Sequence, residues 1–100
     1  MGLLGKLLGL SGDQEKIKEA LSNGAMIIDV RTEKEFAGGH PPNAMNMPLD
    51  TIPVNLEKIK AFNKPVVLCC ASGMRSAKAT SILTKYDIEA YNAGPWTNLK

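Results

Sequence analysis

Two cysteines and one histidine are too few, and wrongly placed, to build a covalent or metal framework in this 100-residue chain. Cys69 and Cys70 are neighbours, so a disulfide between them closes a strained ring and ties no distant segments together. With His40 as the lone imidazole no zinc pattern forms, and no metal site is expected. Free thiols in this setting fit a reducing compartment, and the expected location is the cytoplasm. An excess of charge is also lacking. Twelve basic residues face ten acidic ones, a net of +2 with no cluster of Lys or Arg, which gives no footprint for nucleic acid. Internal repeats and low-complexity stretches are absent too.

No apolar run is long enough to cross a bilayer. The opening Met1-Gly-Leu-Leu-Gly-Lys-Leu-Leu-Gly-Leu10 would place Leu3, Leu4, Leu7 and Leu8 on one helix face, but Gly2, Gly5 and Gly9 weaken it. Lys6 interrupts the run, no Ala-x-Ala site follows, and Lys at position 6 does not fit a myristoylation signal. Residues 1–12 are therefore read as a short apolar N-terminal segment expected to pack on the domain or fray; contact with a membrane surface or partner is the alternative. Residues 13–100 are read as one domain. The length allows one core, and 44% hydrophobic residues suit a globular protein.

Within that domain strands alternate with helices. Ser11 or Asp13 is expected to cap a helix through Ile17, Ala20 and Leu21, ended by Asn23-Gly24. Ala25–Val30 is a continuous apolar run ending in polar residues, as expected of a parallel strand covered on both faces. Thr32–Phe36 reads as a short helix and Ala44–Met47 as a short strand before Pro48. Leu49–Phe62 mixes turn and helical signals. Pro65 opens a central strand, Val66–Cys69, and after the loop a helix runs through Ser76–Leu83 to end near Lys85-Tyr86-Asp87; Ile88–Asn92 is the last strand. The class implied is α/β: a small parallel β-sheet flanked by helices on both faces. Asp29-Val30-Arg31, Cys70 and a turn at Gly94-Pro95-Trp96 then gather beyond the carboxyl ends of the strands, where open α/β sheets bind ligands.

The chemistry concentrates where the central strand breaks into Cys70-Ala71-Ser72-Gly73-Met74-Arg75, a six-residue loop entering a helix. Converging amides and the positive end of a helix stabilise an anion there. The same field lowers a thiol's pKa from near 8.5 toward roughly 3.5–7.5, which makes Cys70 a candidate nucleophile. Ser72 offers a hydroxyl, Gly73 a permissive backbone and Arg75 a fixed cation. The bland alternative is a buried strand-end cysteine with Ser72 as N-cap.

Three ordered motifs resemble the rhodanese-domain sulfurtransferases. Cys70-Ala-Ser-Gly-Met-Arg-Ser76 is similar to the family's Cys-Arg-Ser-Gly-x-Arg-Ser loop. Ile27-Ile-Asp-Val-Arg-Thr32, Glu35-Phe36 and Gly39-His-Pro-Pro-Asn-Ala-Met-Asn-Met-Pro-Leu49 resemble its first signature, and Tyr91-Asn-Ala-Gly-Pro-Trp96 its Asn-Ala-Gly-Gly-Trp segment. Ala71 stands where many relatives carry arginine, and Cys69 where an aromatic or aliphatic residue is common. The six-residue loop matches sulfurtransferases, whereas relatives acting on phosphate or arsenate use a loop one residue longer.

The resemblance implies a rhodanese-like fold and a sulfurtransferase. In that reading Cys70 takes sulfane sulfur from an anion such as thiosulfate, carries it as a persulfide stabilised by the amides of residues 71 to 75, and passes it to cyanide, a thiol or a protein. No cofactor is implied beyond this covalent intermediate. The alternative is a persulfide carrier or sulfur-relay module with little free small-molecule turnover, which the missing cation at Ala71 slightly favours. Arg75 is expected either to bind the donor's sulfonate or to lock the loop on a carboxylate, with Asp29 the expected partner. Asp29 and Arg31 are read as supporting residues, Arg31 lining the mouth or lying idle on the surface. His40 is expected in a turn, bonded to backbone, and Trp96 against the sheet edge or over the pocket. Cys69 should point away from Cys70, buried and inert, unless it reaches the persulfide as a resolving thiol.

Overall fold

The computed structural model describes residues 10–100, so the reading of the apolar N-terminal segment falls largely outside the described residues. The chain runs through helix α1 (Leu10–Ser22), strand β1 (Met26–Asp29), helix α2 (Glu33–Ala37) and strand β2 (Met45–Asn46). Two short 3-10 turns lead into helix α3 (Leu56–Ala61), then strand β3 (Val66–Cys70), helix α4 (Met74–Lys85), strand β4 (Ala90–Pro95) and a last 3-10 turn (Trp96–Leu99). The first helix takes in Ser11 and Asp13 instead of starting after them.

The four strands are parallel in the order β2-β1-β3-β4, with β3 between β1 and β4. All five residues of β3 are buried, which is why its sequence shows no polar alternation. Successive side chains of β3 point to opposite faces. Val66, Leu68 and Cys70 join Ile28, Ile52, Ile59, Ala79 and Leu83 in the core beneath α3 and α4. Val67 packs on the other face against Ile17 and Ala20 of α1. Burying each large aliphatic of this core contributes about 1.5–3 kcal/mol.

One strand departs from the sequence reading. The last strand begins at Ala90 and runs on to Pro95, so Gly94-Pro95 is strand and not turn. Pairing jumps from Leu68↔Asn92 to Cys69↔Gly94, which leaves Ala93 as the extra residue of a bulge. The bulge carries the strand past its expected end, and Pro95 is tolerated because β4 is an edge with β3 as its single neighbour. Gly94 takes φ +81°, a backbone angle open to glycine at little cost. Among the described residues no helix is long and apolar enough to cross a membrane.

Candidate active site

The central strand delivers Cys70 at its carboxyl end, and α4 starts at Met74. The cap is Gly73, not Ser72, with φ +102° and no side chain bonded to the helix end. The first amides of the helix are thus free to serve the sulfur. Gly73 N–H donates to Cys70 Sγ at 2.9 Å, and Ser76 approaches it with its amide at 3.4 Å and its hydroxyl at 3.3 Å. Burial pushes the Cys70 thiol up, but the Ser76 hydroxyl and amide and the amides of Gly73 and Ser72 outweigh it, and the net shift is downward. Of the amides expected to cradle the sulfur, those of Gly73 and Ser72 do so, while Ser76, one residue past the expected set, supplies two donors.

Gly73 has no room for a side chain. A Cβ there would lie 3.2 Å from the Cα of Gly94, and the backbone angle is one that L residues avoid. Gly73→Ala is therefore expected to cost about 1–3 kcal/mol of stability and to raise the pH midpoint of Cys70 alkylation, because the closest amide donor moves off the sulfur. Urea unfolding and alkylation by iodoacetamide across pH check both; an unchanged alkylation profile would show that this amide does not hold the thiolate.

Cys69 shares the burial of Cys70 but not its donors. Its side chain faces away across the sheet, and burial followed by the Asp29 charge pushes its thiol up to about 12. The resolving-thiol role has no support in this arrangement.

Arg75 locks the loop, and its partner is Glu35, not Asp29. Two parallel bonds of 2.8 and 3.0 Å join the guanidinium to the Glu35 carboxylate on α2. Asp29 is taken by Arg31, which reaches it at 2.7 Å through Nη2 and at 3.0 Å through Nε. Arg31 is buried rather than lining the mouth or lying on the surface: its Nη2 donates to Gly39 O at 2.6 Å, and its guanidinium sits 4.8 Å from the centre of the Trp96 ring. This pair fixes the strand end and the Gly39 turn. His40 lies in that turn, its Nδ1 2.9 Å from Pro41 O and its ring stacked 3.9 Å from Phe36. Trp96 packs by Gly39, where a Cβ would meet its ring at 3.2 Å.

Glu35 also closes a capping box with Thr32, accepting from the Thr32 amide at 2.9 Å. The Arg75 hydrogen bonds first, and then Thr32, hold its carboxyl at about 2. A depressed carboxylate stabilises the fold fully above its unfolded value of 4.5 and loses that contribution as pH falls toward about 2. Glu35→Gln is expected to flatten the dependence of the urea midpoint on pH within that window; an unchanged slope would show the pair to be energetically silent.

Three functional candidates escaped the sequence reading. Glu35 was visible as a helix-capping residue but not as a partner for a residue 40 positions away. Ser76 stood at the end of the loop motif. Asn92 lay in the third motif, and its Nδ2 donates to Gly73 O at 3.1 Å, tying the loop to β4. The loop separates two open depressions. One, about 800 Å³, is walled by Ile17 and Leu21 of α1 with Ser72, Gly73 and Met74. The other, about 540 Å³, carries Arg75 and Lys78. Among the described residues no group of three or more His, Cys, Asp or Glu side chains is placed to hold a metal.

A parallel α/β sheet whose central strand ends in a cysteine, with helix-start amides closed over the sulfur, defines a domain built around a stabilised thiolate. Residues 13–96 match the Rhodanese-like domain, and the chain belongs to this family. It is 41% identical over 69 residues to the uncharacterized protein YqhL of Bacillus subtilis, a stretch covering 68% of this chain and 54% of that protein. A sulfurtransferase of Allochromatium vinosum is 33% identical over 73 residues, covering 71% of this chain and 67% of the relative. In three dimensions a Rhodanese-like domain protein from Staphylococcus aureus matches with a TM-score of 0.70 and 37% identity, over 85% of this chain and 84% of the other. The sheet and its flanking helices are thus a rhodanese-like α/β fold.

Proposed function

We propose that this domain is a sulfurtransferase that carries sulfane sulfur on Cys70. The observation that carries the reading is the ring of donors around one sulfur: Gly73 at 2.9 Å, with the Ser76 hydroxyl and amide at 3.3 and 3.4 Å. Such donors stabilise a thiolate, and the amides among them a persulfide anion one atom further out. The Cys70 thiolate attacks the outer sulfur of thiosulfate, the bond to the sulfonate breaks, and sulfite leaves with the electron pair. Cyanide, a thiol or a protein thiolate then takes the outer sulfur and returns Cys70 to thiolate. Each step is a displacement at sulfur, and neither needs a resident cofactor. Lys78 gives the neighbouring depression a cation for an anionic donor, beside Asp50 and beside Arg75, whose charge is paired with Glu35. The similarity to the sulfurtransferase of A. vinosum and the resemblance of the Cys70–Ser76 loop to the family's motif support the same chemistry.

Two-step transfer predicts parallel lines when thiocyanate formation is plotted reciprocally against thiosulfate at several cyanide concentrations. Intersecting lines would overturn the covalent route. A second reading, a persulfide carrier that exchanges sulfur inside a protein complex, is favoured by the closure of the site: Cys70 has no exposed surface. Ala71 adds no cation, and Arg75 is occupied by Glu35. Slow turnover with thiosulfate but fast loading from a protein persulfide would select the carrier.

A further inference from the structure

Ser76 has one hydroxyl proton and two acceptors within reach. Its Oγ lies 2.6 Å from Asn92 Oδ1 and 3.3 Å from Cys70 Sγ, and the residue is fully buried. The Asn92 amide is fixed in one orientation, because Nδ2 donates to Gly73 O at 3.1 Å while Oδ1 accepts from Gly94 N–H at 2.9 Å. Its oxygen therefore always faces Ser76. When Cys70 is a thiol the chain is complete: S–H donates to Ser76 Oγ and the hydroxyl donates to Asn92. When Cys70 is a thiolate it has no proton to give, and the hydroxyl serves the sulfur only by leaving Asn92.

We propose that Asn92 is a positioning residue that competes with the Cys70 sulfur for the Ser76 hydroxyl, which swings between the two once in each half-reaction. This rests on the sulfurtransferase reading. On loading, RS⁻ and S–SO₃²⁻ become RS–S⁻ and SO₃²⁻, so the negative charge moves one atom outward. The inner sulfur becomes a poor acceptor, and the hydroxyl returns to Asn92. On discharge to cyanide, RS–S⁻ and CN⁻ become RS⁻ and SCN⁻, and the hydroxyl swings back to the recovered thiolate. Asn92 thereby favours the loaded state over the free thiolate.

Charged and titratable groups reach this region from the elements around it: Arg75 and Lys78 on α4, Glu35 on α2, Asp29 and Arg31 at the end of β1, Cys69 on β3 and Lys18 on α1. Substitutions at Asn92 and Ser76 leave all of these in place. The test is the pH profile of Cys70 alkylation by iodoacetamide, read by mass spectrometry, for Asn92→Ala, Ser76→Ala and the double variant. With the competing acceptor gone, the hydroxyl stays on the thiolate. Asn92→Ala is thus expected to raise the thiolate fraction below the midpoint by roughly two- to tenfold. The same change in the Ser76→Ala background should have no such effect. A merely structural Asn92 gives the opposite sign, since releasing Gly73 would loosen its amide from the sulfur and raise the midpoint. Either that rise, or a gain that persists without Ser76, overturns the proposal. Should Asn92→Ala not fold, Asn92→Asp supplies a stronger acceptor and is expected to raise the midpoint more with Ser76 present than absent; an equal rise in both backgrounds overturns the proposal. Alkylation needs no sulfur donor, so its failure is separable from failure of the sulfurtransferase reading, which thiocyanate formation reports.

Discussion

Cys70→Ser is expected to lower thiocyanate formation from thiosulfate and cyanide by roughly a thousandfold or more, to the uncatalysed rate, as removal of a covalent nucleophile does elsewhere. A serine hydroxyl does not ionise near neutral pH and forms no persulfide, so the amide donors of Gly73 and Ser76 are left with nothing to stabilise. Cys69→Ser, by contrast, is expected to keep activity within about threefold, because that thiol faces away across the sheet, as successive strand residues do, and is held protonated near 12. Steady-state rates for the two variants, with circular dichroism to show that both are folded, check this. Activity that survives in Cys70→Ser but not in Cys69→Ser would mean that the wrong cysteine has been assigned.

Asp29→Ala is expected to be the most damaging single change to stability, at about 3–5 kcal/mol. The carboxylate is fully buried and neutralises the largely buried Arg31 guanidinium at 2.7 Å. Removing it strands a charge in the interior and releases the Arg31 bonds that hold Gly39 and face Trp96. Against a total stability of roughly 5–15 kcal/mol, such a loss removes a large fraction of what holds the fold. Thermal melting should show a fall of more than about 12 °C. Asp29→Ala with Arg31→Met, which removes both charges, is expected to recover part of it. A fall of less than about 4 °C in the single variant would show that water reaches the pair and that it does not organise the strand ends.

The fold was legible where periodicity and punctuation agree. The apolar runs Ala25–Ile28, ending in polar residues, and Val66–Cys69 announce parallel strands, and the strands formed there, Met26–Asp29 and Val66–Cys70, make the centre of the sheet. Gly73 could be picked out because the loop needs a backbone angle that few other residues take. The bulge at Ala93 could not, because nothing in Tyr91-Asn92-Ala93-Gly94 encodes a register shift; it arises from pairing with β3. Partner choice among charges was equally hidden. Asp29, Glu35, Arg31 and Arg75 all occur in the motifs, but which carboxylate meets which guanidinium depends on how α2 is placed against the start of α4. The Ser76–Asn92 contact joins two motifs 16 residues apart and becomes visible only once β3, α4 and β4 are packed together.

The most direct test of the account is to treat the purified protein with thiosulfate and weigh it intact, beside Cys70→Ser and Cys69→Ser, before and after cyanide. The account predicts a gain of about 32 Da, one sulfur atom, in the wild type and in Cys69→Ser, absent from Cys70→Ser and removed by cyanide. An unchanged mass in the wild type with every sulfane donor, protein persulfides included, would contradict sulfur transfer on Cys70.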